Sequence, residues 1–276
     1  MAKRKIFVSK KIKRKIMKYR LIDDVFFMAF FNGNKELTEF LLKILLDTDD
    51  LTVVDVKVQK EYKNLQGRSI ILDILARDTK GRVINVEIQR TKSGAIPKRA
   101  RFHSSIIDSN AIRANQYFDK LPEAYVIFIT ETDIYGYGQP IYEVDRYIKC
   151  KGGLIEFNDE AHIIYVNGEN KDDTALGHLM QDFFCSKADD MYYNELSERM
   201  RFLKESERGN EIMSMSMQEL IDEGAKKGTY DANIKTAKRL LKLGKNTIEE
   251  IAECTGLSEK KVKSLAEKAN KVVNLV

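Results

Sequence analysis

The stretch Ser69–Gln89, SIILDILARDTKGRVINVEIQ, decides the fold. It reads as two strands, 69–77 and 82–89, with a short loop between them. Both are rich in Ile, Leu and Val, and Gly81 supplies the left-handed residue that a three-residue hairpin loop, Thr79-Lys80-Gly81, requires. That loop length pairs Asp78 with Arg82, and the same register sets Asp73 directly opposite Glu87. Side chains alternate across a strand, so Leu72, Ile74 and Ala76 share one face with Ile84, Val86 and Ile88. Asp73, Glu87 and Gln89 take the other face. Asp73 is an acid in the middle of an apolar run, and a carboxylate on an interior strand is costly unless something pairs with it.

Two side chains directly opposite in an antiparallel pair have Cβ atoms roughly 5 Å apart. Two carboxylates at that separation repel, and a divalent cation between them would reverse the sign. The two acids, a nearby backbone carbonyl and water form an oxygen-rich set suited to Mg²⁺. Such an ion can activate a water and stabilise charge developing on a phosphate. The spacing alone is also compatible with two half-exposed acids balanced by Arg68, Arg90 or Lys92.

Outward from the hairpin, residues 23–31 (DDVFFMAFF) form a short apolar helix, and Asn34 caps a second helix over 35–46. Val54, Val56 and Val58 alternate with polar residues as in a strand. Pro97 opens a helix to about residue 110, and strands follow at 123–130 and 161–167. Helices are expected over 174–185 and 190–208. The order α-β-β-β-α-β is that of a mixed central sheet flanked by helices. The helix after the hairpin brings Lys92, Lys98, Arg99 and Arg101 near the two acids, and Arg90 follows Gln89 directly. These cations are candidates for phosphate contact, or they are the solvated charge of a surface helix.

Composition bounds the rest. The chain has 276 residues, 43% hydrophobic and 32% charged, which suits a globular protein and excludes a disordered one. Ten of the first twenty residues are Lys or Arg, among them Lys3, Arg4 and Lys5, so a basic segment 1–20 either contacts phosphate or is a solvated tail. No apolar run approaches the ~20 residues of a membrane span. The three cysteines form neither a zinc pattern nor a disulfide framework, and a reduced, cytoplasmic setting is expected.

Beyond the domain over 21–209, strands disappear. Residues 210–230 read as a helical linker, with Gly224, Gly228 and Gly244 punctuating helical segments. Residues 231–276 read as a small all-α module. Thr247-Ile248-Glu249-Glu250 is a capping box, and Ala252, Gly256 and Val262 stand where a helix-turn-helix needs a small residue, a turn glycine and a β-branched residue. Its second helix carries Lys260, Lys261, Lys263 and Lys268, phosphate-type residues rather than base readers. Packing or self-association is the other role such a bundle can have.

The succession of helix, Asp73, hairpin, Glu87-Ile88-Gln89 and helix resembles the PD-(D/E)XK nuclease superfamily. The segments DDVFFMAFF (23–31), ILDILARD (71–78), INVEIQ (84–89), RARFHSSIID (99–108), EAYVIFITETD (123–133) and HIIYVNG (162–168) narrow it to the branch of recombination-promoting nucleases and transposase-like proteins, over about residues 20 to 205. The resemblance implies a restriction-endonuclease-like α/β core that cuts DNA with Mg²⁺, Mn²⁺ being able to substitute. It implies Asp73, Glu87 and the Ile88 carbonyl as metal ligands, and Asp24 on the first helix as a further acid. Gln89 stands where the superfamily commonly has a catalytic lysine, and Leu72 where it often has proline. A glutamine can orient a water or a phosphate but brings no charge. Double-strand cleavage would call for two such sites, hence a homodimer. The competing expectations are a DNA-binding or regulatory protein on a weakened nuclease fold, and an interaction scaffold without nucleic acid.

Overall fold

The register of the central hairpin is pinned at its turn. In the computed structural model, which describes residues 8–62 and 69–273, the Asp78 carboxylate accepts the backbone N–H groups of Lys80 (3.0 Å) and Arg82 (2.8 Å), and Arg82 Nε at 2.6 Å. Gly81 is left-handed at φ 85°, as the three-residue loop requires. Ladder pairs Arg77–Val83 through Ile74–Val86 follow. This is the register expected from the loop length.

Around the hairpin the elements run α1 (Lys10–Ile16), α2 (Asp24–Phe31), α3 (Lys35–Leu45), β1 (Val53–Tyr62), β2 (Ile70–Asp78), β3 (Val83–Gln89), α4 (Pro97–Ala111) and β4 (Ala124–Thr130). There follow β5 (Ile141–Val144), β6 (Tyr147–Cys150), β7 (Gly153–Glu156), β8 (Ala161–Asn167), α5 (Ala175–Phe184), α6 (Asn194–Glu205), α7 (Glu207–Leu243), α8 (Ile248–Thr255) and α9 (Glu259–Val273). Six strands form one sheet in the order β1-β2-β3-β4-β8-β5. The first three are antiparallel, β3, β4 and β8 are parallel, and β5 runs antiparallel at the far edge. α4 makes the crossover from β3 to β4 and packs on β4 and β8, while α2 and α3 pack on β1 and α2 also on β2.

Both faces of the sheet are covered. Leu75, Val83, Val126, Phe128 and Tyr165 share a core with Ala100, Ile106 and Ile107 of α4. Their neighbours along the strands, Ile74, Ala76, Ile84, Val86 and Ile88, are at most 2% exposed. α2 is apolar all round because it lies inside: Val25 to Phe31 are all buried. Truncating any of Phe26, Phe27, Phe30 or Phe31 to Ala would cost ~3–5 kcal/mol.

Several elements differ from the sequence-based expectation. Part of the basic N-terminal segment is built into the fold. Ser9 caps α1, Ile16 is fully buried, and the buried Lys204 ammonium donates to the carbonyls of Met17, Tyr19 and Ser186. Lys3, Arg4, Lys5 and Arg68 lie outside the described residues. β5, β6 and β7 were not foreseen; each is four residues long, and β6 and β7 form a separate, exposed hairpin. The expected helix 190–208 starts only at Asn194 and breaks after Glu205. Gly224 and Gly228 do not interrupt α7; Gly244, at φ 64°, follows its last residue.

By contacts the chain divides into two units, Met1–Ser216 and Met217–Val276. In the second, Ala237 of α7, Ile251 of α8 and Leu257, Val262 and Leu265 form a small core. α8 opens on the Thr247–Glu250 capping box and ends on left-handed Gly256. Among the described residues no helix is long and apolar enough to cross a membrane.

Candidate active site

Beyond the Ile74–Val86 pair the β2–β3 ladder gives way to side chains. Asp73 and Glu87 occupy the next opposed positions. The Asp73 N–H donates to Glu87 Oε1 at 3.1 Å, and the Ile88 N–H donates to Asp73 Oδ2 at 3.0 Å. The Ile74 carbonyl is taken by the Asn85 amide at 3.0 Å, and the same amide donates to Glu87 Oε1 at 2.9 Å. Two carboxylates and an amide thus do the hydrogen bonding that main chain would do in a regular ladder. The two acids differ in exposure: Glu87 is 0% exposed and lies under α4, whereas Asp73 is partly open. Across β1, Gln59, in a left-handed conformation at φ 53°, brings its amide 3.5 Å from Asp73 Oδ1.

α4 supplies the lid. Arg99 Nη2 lies 3.3 Å from Glu87 Oε2, and Arg99 Nη1 donates to the Gly94 carbonyl at 2.8 Å. One turn on, buried His103 stands with Nδ1 3.4 Å from Asn85 Oδ1 and 3.7 Å from Glu87 Oε1. Gln89 folds over the turn Lys92–Gly94; a Cβ on Gly94 would meet Gln89 Oε1 at 2.0 Å. Asp24 opens α2 near enough for its charge to act on both Asp73 and Glu87.

The electrostatics follow from burial. Desolvation raises the Glu87 carboxyl to about 7, opposed by its bonds from Asn85 and the Asp73 N–H and by the charge of Arg99. Burial, then the neighbouring Glu87 charge, raises Asp73 well above the ordinary carboxylate range. Asp24 is raised mainly by burial. A site that makes three acids reluctant to ionise gains most from a bound cation.

The expected cations separate into distinct groups. Arg90 is paired, with Glu131 at 2.7 Å and Asp23 at 3.0 Å, and Arg20 lies against the same two acids. Arg99 turns inward onto Glu87. Lys92, Lys98 and Arg101 are exposed. In the C-terminal unit Lys260 is exposed, Lys261 lies over the Tyr230 ring and Lys263 pairs with Glu259. The side chain of Lys268 lies outside the described residues.

The sequence reading missed Asn85, His103 and Gln59. Asn85 is two residues before Glu87 on the same strand face, and His103 is four after Arg99 on α4. Both periodicities were available to it. Gln59 left no signal, because nothing in the sequence marks a left-handed residue inside β1.

Whether the residues fit a cation is a question of donor chemistry. Among the described residues no three His, Cys, Asp or Glu side chains gather at ligand spacing. Asp73 and Glu87 offer hard oxygen donors beside the Ile88 main chain, a set that suits a hydrated divalent ion completed by water. It does not suit zinc, which takes four protein nitrogen or sulfur donors in a structural site.

In comparisons with known proteins, no curated protein and no solved structure matches the chain significantly. A family model described as PD-(D/E)XK nuclease family transposase matches residues 21–233, most of the chain and the whole of the site above. PD-(D/E)XK nucleases generally use divalent metal ions. The mixed sheet, the Asp73–Glu87 pair at the break in its hairpin and the match over 21–233 together assign the chain to the PD-(D/E)XK nuclease family transposases.

Proposed function

We propose that this chain is a Mg²⁺-dependent DNA endonuclease of the recombination-promoting type, with Mn²⁺ able to substitute. The observation that carries the reading is the pair Asp73–Glu87, held where β2 and β3 part by the bonds from the Asp73 N–H to Glu87 and from the Ile88 N–H to Asp73. Asp73, Glu87 and the Ile88 carbonyl would hold the ion, with Asp24 as a further acid close by. When bound, the ion supplies positive charge to the phosphate and polarises the attacking water.

The chain's own residues do the rest. Gln89, positioned over Gly94, orients the water. The Asn85 amide and the Asp73 N–H fix the Glu87 carboxylate so that it does not reorganise during the reaction. Hydrolysis adds one water across a phosphodiester: a phosphorus–oxygen bond forms as the bond to the leaving sugar oxygen breaks, and that oxygen receives a proton. Lys92, Lys98 and Arg101 hold the DNA backbone from outside. Arg90 serves a different purpose in this reading: paired with Asp23 and Glu131, it braces the mouth of the site.

We further propose residues 21–209 as the nuclease-like domain, 210–230 as its helical linker and 231–276 as a helix-turn-helix-like DNA-contacting module, using Lys260, Lys261 and Lys263. The working form is a cytoplasmic homodimer that cuts both strands. The test is plasmid DNA incubated with the protein in Mg²⁺ or in EDTA. Nicking that needs the metal and is lost in Asp73→Ala is expected. Cutting that persists in Asp73→Ala overturns the assignment of the site. Salt-sensitive binding without any cutting replaces the nuclease with a DNA-binding protein on the same fold.

A further inference from the structure

Gln89 is neutral, so the charge that builds on a phosphate during hydrolysis has no cationic partner on β3. The cations around the site differ in what they can offer. Arg20 and Arg90 are committed to Asp23 and Glu131 at the rim. Lys92, Lys98 and Arg101 point into solvent. Arg99 alone among these reaches the acid pair, with Nη2 3.3 Å from Glu87 Oε2.

Arg99 is also held independently of the acids. Nη1 donates to the Gly94 carbonyl at 2.8 Å, Nε stands 3.3 Å from His103 Nε2, and the guanidinium lies over the Phe128 ring at 5.8 Å. None of these three contacts involves a carboxylate, so they persist when Glu87 is given to another ligand. The side chain is 35% exposed, so part of it stays open to solvent beside the acid pair, and each terminal nitrogen keeps a second N–H for a further acceptor. Gln89 is packed on the same Gly94 whose carbonyl positions Arg99, so the two are held by one turn.

We propose that Arg99 is a catalytic residue: it supplies the scissile phosphate with the positive charge that Gln89 lacks, and in the metal-free protein it stands in for the cation on Glu87. The inference rests on the nuclease reading and adds a role distinct from backbone holding. It joins two consequences of opposite sign. A guanidinium on Glu87 competes with the metal, so removing it strengthens metal binding. The same guanidinium serves the transition state, so removing it slows cleavage. A residue that merely maintains the fold would weaken both, and one that merely holds DNA would change neither metal affinity nor kcat.

The experiment measures Mn²⁺ binding by calorimetry without DNA, and single-turnover cleavage with Mg²⁺, for wild type, Arg99→Gln and Arg99→Lys. Arg99→Gln is expected to lower kcat by about 100-fold, the scale of losing one preorganised donor, with KM changed little. Its Mn²⁺ affinity is expected to rise several-fold. Arg99→Lys keeps the charge and recovers part of the cleavage rate. An Arg99→Gln protein that raises KM alone, or that loses Mn²⁺ binding along with activity, overturns the inference while leaving the nuclease reading intact. A wild type that binds Mn²⁺ but cuts nothing overturns the nuclease reading and the catalytic role together. The competition with metal is then judged by whether Arg99→Gln still tightens Mn²⁺ binding.

Discussion

Asp73 and Glu87 are tied together through the main chain: the Asp73 N–H donates to Glu87 Oε1 at 3.1 Å, and the Asp73 carboxylate accepts the N–H of Ile88, the residue next to Glu87. The arrangement keeps the backbone satisfied at a point where the strands part. It also forces two acids together in a desolvated place, and the raised Glu87 and Asp73 carboxyls express that cost. Function and stability therefore oppose one another at this pair.

Glu87→Gln separates the two. The amide oxygen can still accept the Asp73 N–H and the Asn85 amide, but the negative charge is gone. In EDTA near pH 8 the variant is expected to be more stable than wild type by about 1 kcal/mol, a rise in Tm of ~2–4 °C for a chain of this size. Metal-dependent cleavage should fall by at least ~100-fold. A variant that melts well below wild type would show that the carboxylate is structural.

The same pair sets a pH dependence. Glu87 has its ordinary value near 4.5 in the unfolded chain and about 7 in the fold, chiefly through burial. Between those values the folded protein binds more protons than the unfolded one, so stability falls as pH rises. Below the interval the effect is absent, and above it the penalty is complete. Metal-free melts across this window should decline more steeply for wild type than for Glu87→Gln. Mg²⁺, by offsetting the repulsion, should flatten the wild-type curve and release protons as it binds. Equal slopes for the two proteins in EDTA would rule out Glu87 as the titrating group.

How much of this was legible in the sequence depends on the range of the interaction. The Thr79-Lys80-Gly81 loop is local, so its length alone gave the register that opposes Asp73 to Glu87. The match of α2, α4, β4 and β8 to expectation has the same origin, since Pro97, the apolar run 124–130 and the Phe-rich helix are all strong local signals. What was not legible is long-range. Arg99 looked like surface charge until α4 was laid on β4, where its turn toward Glu87 appears. Arg90 looked free because Asp23 and Glu131 are distant in sequence and meet it only in the folded chain. β6 and β7 were missed although the Lys151-Gly152 turn between YIKC and GLIE carries a hairpin signal; strands so short and so exposed carry little apolar periodicity.

Gly94 offers a test of Gln89 that leaves Gln89 unchanged. A Cβ there would stand 2.0 Å from Gln89 Oε1, and the far end of a flexible side chain can move aside. Gly94→Ala should thus cost under ~1 kcal/mol of stability, in the range of ordinary surface changes. It should nevertheless displace the amide from its place over the turn. Cleavage is expected to drop to the level of Gln89→Ala, and the double variant to be no worse than either alone, since both remove one positioned group. Full activity in Gly94→Ala would mean that the position of Gln89 is immaterial to the reaction.

Salt dependence distinguishes which cations meet DNA. Lys92, Lys98 and Arg101 are exposed and unpaired by any ion pair described above, so replacing each by Gln should leave Tm almost unchanged. Each one that neutralises a phosphate should lower the slope of log affinity against log salt by about 1, with affinity reduced evenly across DNA sequences. Arg90→Gln should behave differently. Its charge is spent on Asp23 and Glu131, so its removal should unsettle the rim and lower Tm while leaving the salt slope as it was. In the C-terminal unit Lys260 is exposed, Lys261 lies over the Tyr230 ring, and Lys263, also exposed, pairs with Glu259. If that unit contacts DNA, Lys260→Gln should reduce the slope more than Lys263→Gln, because a lysine already paired releases less counterion on binding. An unchanged slope in Lys92, Lys98, Arg101 and Lys260 variants alike would remove phosphate contact from all four.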